Sequence, residues 1–212
     1  MSMCALADGS RLPTVALKVM PHAVLFHGPC IARHARWRWR RLAVTRKAGD
    51  AAAAFDAARK AVPDGYGYFN NQADDVLAVG AAMMRGEMAY HAGETEAGLA
   101  WLWRAVEAED RLAYTEPRAW MHPPRHALGA LLLEQGQLAA PRRLYECDLG
   151  HSDDLPVSRQ NRGNIWALHG LAECLRRLGD PQAEDAAAAL AAAMPLADQA
   201  ITSSCFCRGR YL

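Results

Sequence analysis

His91-Ala92-Gly93-Glu94, Glu134-Gln135-Gly136-Gln137 and Arg177-Leu178-Gly179-Asp180 repeat one arrangement: an apolar helical stretch runs into a glycine and leaves it as a second, Ala-rich stretch. Lys47-Ala48-Gly49-Asp50 reads the same way, and the four glycines lie 44, 43 and 43 residues apart. Glycine reaches the left-handed conformation in which many helices end without a steric cost. Each junction therefore reads as a tight turn between two antiparallel helices. Their period of about 43 residues predicts an all-α solenoid of roughly three and a half helix pairs.

Working outward from the turns, apolar side chains recur at helical spacing on both sides. Val76, Leu77, Val79, Ala82, Met83 and Met84 lead into Gly93, and Leu99, Leu102, Trp103 and Val106 follow it. Trp120, Leu128, Leu131, Leu132 and Leu133 precede Gly136, and Leu138, Leu144, Tyr145 and Leu149 follow. Two adjacent prolines in His122-Pro123-Pro124-Arg125 cannot sit inside a helix, so the uninterrupted helix should begin at Pro124. The last pair starts near Asn164, carries Trp166, Leu168, Leu171 and Leu175, turns at Gly179, and runs from Pro181 to about Ala193, where Pro195 closes it. Asp50 is placed to cap a helix through about Ala61, ended by Pro63-Asp64-Gly65. Its partner would lie in the Arg- and Trp-rich stretch His34-Ala35-Arg36-Trp37-Arg38-Trp39-Arg40-Arg41. Residues 1–33 show no periodicity and read as poorly ordered, leaving 34–212 as the repeat domain.

With 212 residues, 51% of them apolar, the chain can bury a sizeable core. Its formal charge of +1 gives no reason to expect nucleic acid or an anionic membrane as partner. No segment approaches the roughly 20 apolar residues of a membrane span. Six cysteines without a secretion signal read as reduced thiols in a cytoplasmic protein. No Gly-x-Ser-x-Gly elbow, phosphate-cradling glycine loop or His-Glu-x-x-His helix is present, so neither an enzyme nor a cofactor is expected.

The second pair, Gly86-Glu87-Met88-Ala89-Tyr90-His91-Ala92-Gly93 followed by Gly98-Leu99 and Ala105, resembles a tetratricopeptide repeat (TPR). Leu128-Gly129-Ala130 through Gly136 to Tyr145 matches as well, as does Leu171-Ala172 with Leu175 before Gly179. The strings Glu116-Pro117-Arg118-Ala119-Trp120-Met121, Asn164-Ile165-Trp166-Ala167-Leu168-His169-Gly170 and Ser204-Cys205-Phe206-Cys207-Arg208 are similar to a group of poorly characterised microbial TPR proteins. TPR units have 34 residues; here about nine more fall in the connectors 112–120 and 151–159, which should protrude along one edge. Pro141 and Asp148 replace small residues of the pattern, so the helix after Gly136 should start late or bend.

The resemblance implies that the first helix of each pair lines a groove for a protein or peptide partner. Met83, Glu87, Tyr90 and His91 would come from one pair, His126, Ala130, Leu133 and Glu134 from the next, and Trp166, His169, Glu173, Arg176 and Arg177 from the last. A competing expectation is a metal- or thiol-containing site. It would draw on His126 and His169, which occupy equivalent repeat positions, with Cys205-Phe206-Cys207 folding back over the array.

Overall fold

Gly93, Gly136 and Gly179 adopt positive φ values of 93°, 78° and 65°. Behind them one hydrogen bond recurs: the amide of Glu94 donates to the carbonyl of Ala89, Gln137 to Leu132 and Asp180 to Leu175, at 2.9, 3.0 and 3.0 Å. This bond closes the last helical turn and reverses the chain. The computed structural model describes residues 46–208, and their architecture is predominantly helical. The helices are α1 (Arg46–Lys60), α2 (Ala73–His91), α3 (Thr95–Arg111), α4 (Pro124–Glu134), α5 (Ala139–Leu149), α6 (Ile165–Leu178) and α7 (Ala183–Ala193). A two-stranded ribbon, β1 (Gly67–Tyr68) against β2 (Asn71–Gln72), joins α1 to α2.

Gly49 is a correction. It lies within α1, so Lys47-Ala48-Gly49-Asp50 is no turn and Asp50 caps nothing. Four consecutive alanines, Ala51 to Ala54, follow it. The best helix former in a run carries a helix past one glycine, whose cost is only about 1 kcal/mol. The expectations for residues 1–33 and 34–41 lie outside the described residues.

Each helix packs on its neighbours in sequence, and α4 also touches α6. At the α2–α3 crossing the backbones meet: a Cβ on Gly98 would sit 2.8 Å from the Gly86 carbonyl oxygen. Between α4 and α6 the small residues admit a ring instead, since Tyr145 of α5 fills the space beside Gly129 and Gly170 and is fully buried. One apolar cluster joins α2, α3 and α4 through Val79, Leu102, Leu128 and Leu131; a second joins α5 and α6 through Tyr145, Leu168, Leu171 and Leu175. The Ala-rich α7 packs only partly buried residues on this second cluster, among them Ala186 and Leu190.

The connectors are exposed along most of their length but are pinned to the helices at a few points. Leu112, Thr115, Trp120 and Leu155 are buried. Trp120 lays its ring on Gly80 and donates its indole N–H to the Met83 sulfur at 3.1 Å. The Asn71 side chain brackets Ala113, accepting from its amide at 2.7 Å and donating to its carbonyl at 3.1 Å, while Arg159 donates to the Leu112 carbonyl at 2.8 Å. Leu112, Trp120 and Leu155 are the apolar anchors of these connectors, while Tyr114 and Val157 stay exposed.

Pro141 neither delays nor breaks α5. The helix begins at Ala139, so Pro141 falls in the first turn, where no intrahelical donor is needed.

Candidate functional site

The N-terminus of α6 sets the geometry of the candidate site. Asn164 accepts hydrogen bonds from the amides of Trp166 and Ala167 at 2.9 and 3.2 Å, an N-cap that fixes Trp166 in the first turn. Trp166, His169 and Glu173 then follow at spacings of three and four residues and share one side of the helix.

That side is covered by the chain itself. Beyond the short helical turn Met194–Leu196, residues 201–208 return across α6 and α4, with Ile201, Ser203, Ser204 and Cys205 buried. Ser204 Oγ lies 2.5 Å from the Tyr145 hydroxyl, which emerges between Gly129 and Gly170. Phe206 meets Trp166 edge to face, with ring centroids 4.6 Å apart. Arg208 reaches both oxygens of Glu173, the Nη2–Oε1 distance being 2.8 Å, and Arg177 adds a contact of 3.2 Å to the same carboxylate. Cys207 Sγ approaches the Ala127 carbonyl at 3.8 Å, and Cys205 Sγ lies 3.9 Å from His122 Nε2.

The electrostatics follow this packing. Burial alone would raise the Glu173 carboxyl, but the Arg208 and Arg177 guanidiniums outweigh it and hold the group below the ordinary carboxylate range. Burial lowers the His169 imidazole, and the nearby Arg208 charge acts in the same direction. Its Nδ1 is buried and has no hydrogen-bond partner among the described residues. Burial, with His126 as neighbour, lowers His122 to about 4, leaving that ring neutral near pH 7. The half-buried Glu87 carboxyl is pushed up to about 7 by burial.

Of the residues expected to line a groove, Trp166, His169 and Glu173 come together around the C-terminal segment. Tyr90 is buried but accepts a hydrogen bond from Gln135 at 2.6 Å and stacks edge to face on His91. Tyr90 and Glu134 both lie within electrostatic reach of Arg208. Glu134 and Arg176 are exposed to solvent, while Ala130 and Leu133 are buried in the core. Ala130 and Leu133 are therefore corrections, and so are Met83 and His126. Met83 is sealed beneath Trp120, and His126 is 2% exposed and bound to Asp148 through Nε2–Oδ2 at 2.8 Å. Asp148 also accepts from the Asn161 side chain at 2.6 Å. The Asp148 carboxyl on α5 thus has a buried partner on α4, and the His126 imidazole turns toward it.

Among the described residues, no three His, Cys, Asp or Glu side chains are arranged to hold a metal ion. The expectation of reduced thiols is corrected at Cys205 and Cys207, which are disulfide-bonded; Cys147 and Cys174 are buried free thiols, and Cys4 and Cys30 lie outside the described residues. Burial raises the Cys174 thiol to about 12, which removes its nucleophilic form near neutral pH.

Sequence reasoning missed Tyr145, Ser204 and Phe206 as a linked set. The available signal was the pair Gly129 and Gly170, 41 residues apart, on whose flanks the Tyr145 ring depends. No helix among the described residues is long and apolar enough to cross a membrane. No known protein family, curated protein or solved structure matches the chain.

Proposed function

We propose that this chain is a TPR-like α-solenoid that works as a protein-interaction module, its first-helix face receiving an extended peptide segment from a partner. The observation that carries the reading is the chain's own segment 201–208, laid on that face by an ion pair, an aromatic contact and a buried hydroxyl contact. These are the elements of extended-peptide recognition: a charged clamp at Glu173, an aromatic platform at Trp166 and a small-residue seat at Tyr145. The repeated Gly93, Gly136 and Gly179 turns support a solenoid of helix pairs. In this reading the protein catalyses no reaction, and its specificity is for a partner segment with a small polar residue, then an aromatic, then arginine.

A fluorescent peptide of residues 197–208 tests the reading. It is titrated by anisotropy into the full chain and into the full-chain double variant Phe206→Ala, Arg208→Ala, whose own segment is loosened. Binding to the variant, weaker binding to the unaltered chain, and loss of binding when Glu173→Lys is added to the variant are expected. A variant with native circular dichroism that leaves the peptide unbound at any concentration would refute the reading.

A further inference from the structure

Cys205 and Cys207 flank Phe206, whose ring meets Trp166 edge to face. Their bond closes a ring through the backbone of Phe206, between the Ser204 and Arg208 anchors. A segment whose backbone is already restricted loses less freedom on docking than an open one. We propose that Cys205 and Cys207 form a reversible dithiol–disulfide couple, which holds the C-terminal segment on the first-helix face when oxidised and loosens it when reduced by a low-molecular-weight thiol. This rests on the reading of that face as a peptide-binding site.

The two sulfurs differ in access. Cys205 is 2% exposed and contributes to the apolar core, whereas Cys207 is only half-buried. An incoming thiolate therefore attacks Cys207 Sγ, forming a mixed disulfide there and expelling Cys205 as thiolate. The leaving sulfur already accepts a hydrogen bond from the Cys207 amide at 3.0 Å, which favours its anionic form. A second thiolate then attacks the small-molecule sulfur of the mixed disulfide and releases Cys207. Two thiols become one small-molecule disulfide, and the pair gains two electrons and the two protons those thiols gave up. Reduced Cys205 has an acceptor at hand in the neutral His122 ring, 3.9 Å away. Oxidised thiol of the same class runs the exchange in reverse.

The test uses the full chain in glutathione buffers of stepped reduced-to-oxidised ratio. Alkylation trapping and mass spectrometry read the state of residues 205 and 207, amide hydrogen exchange reads residues 201–208, and anisotropy reads binding of the labelled peptide. Reduction is expected to speed exchange of the segment about tenfold and to tighten peptide binding about tenfold. The double variant Cys205→Ser, Cys207→Ser should match the reduced protein at every ratio. A pair that oxidised glutathione cannot bridge, or equal segment exchange in both states, would overturn the switch. Peptide binding that is equal in both states overturns it too while leaving the binding-module reading in place. Redox-dependent exchange without peptide binding to any form supports the switch and removes that reading.

Discussion

The Tyr145 hydroxyl, carried on α5, and Ser204 Oγ, on the returning C-terminal segment, lie 2.5 Å apart and fully buried in a gap that exists because residues 129 and 170 have no side chain. One ring thus ties three helices to the segment that covers two of them. Burial raises the pKa of the phenol, so it stays neutral and the contact is a neutral hydrogen bond.

Glycine-to-alanine changes in this gap should reverse the usual rule. In a helix the substitution is ordinarily stabilising by about 0.5–1 kcal/mol. A Cβ at Gly129 would lie 2.5 Å from the Tyr145 ring, and one at Gly170 2.2 Å from it. Gly129→Ala and Gly170→Ala are therefore expected to destabilise by about 1–3 kcal/mol in urea denaturation. The exposed Gly49→Ala, with open space around its Cβ, is the control and should stabilise.

Tyr145→Phe keeps the ring and removes only the hydroxyl. The expected loss is about 1 kcal/mol, with hydrogen exchange quickened at residues 203–205 and unchanged in α5. Uniform quickening across the molecule would mean that the segment is not held locally by this bond.

The His126–Asp148 pair is buried on both sides, with side-chain exposures of 3% and 2%. Burial would raise Asp148, but the His126 contact and the Asn161 amide hold it below its ordinary value of 3.8. A carboxyl depressed in this way adds stability that is present above the unfolded value and is lost as pH falls through the folded one. Asp148→Ala should cost about 1–3 kcal/mol at pH 7, because it leaves the buried His126 ring without its hydrogen-bond partner. The deficit relative to the unaltered chain should shrink as the denaturation series is taken below pH 4.

Glu109 has the opposite sign. Burial raises it from 4.5 to about 7 against the opposing pull of Arg118 and Arg125. Below pH 4.5 both states hold the proton; between 4.5 and 7 the unfolded chain ionises first, so stability falls with rising pH. Glu109→Gln should therefore gain stability relative to the unaltered chain as pH rises from about 5 to 8, by an order of 2–3 kcal/mol across that window. A pH-independent difference would show that Arg118 and Arg125 keep the carboxylate charged.

The Arg208–Glu173 pair is partly screened, at 23% and 16% exposure. Arg208→Ala is expected to leave the melting temperature nearly unchanged. It should increase quenching of Trp fluorescence by acrylamide as Phe206 leaves Trp166.

Three of the four glycine junctions, the helix starts at Pro124 and Asn164 and the end of α1 before Pro63 were legible in the chain because they depend on local chemistry. Proline lacks a donor, asparagine caps a neighbouring amide, and glycine takes positive φ, whatever the rest of the molecule does. Gly49 was misread for the same reason: the glycine was visible, but the propensity of the alanines after it outweighed it. Trp166, His169 and Glu173 could be placed on one side of α6 because spacing within a helix is fixed.

What the sequence by itself determined is the helical pairing and the turns, since propensity, capping and periodicity act over fewer than ten residues. The tertiary structure alone decided that His126 turns to Asp148, that Met83 lies under Trp120, and that Ser204, Phe206 and Arg208 occupy the face expected for a partner. Those contacts join residues 22 to 59 positions apart, and each is set by which complementary group is left unsatisfied when the helices close.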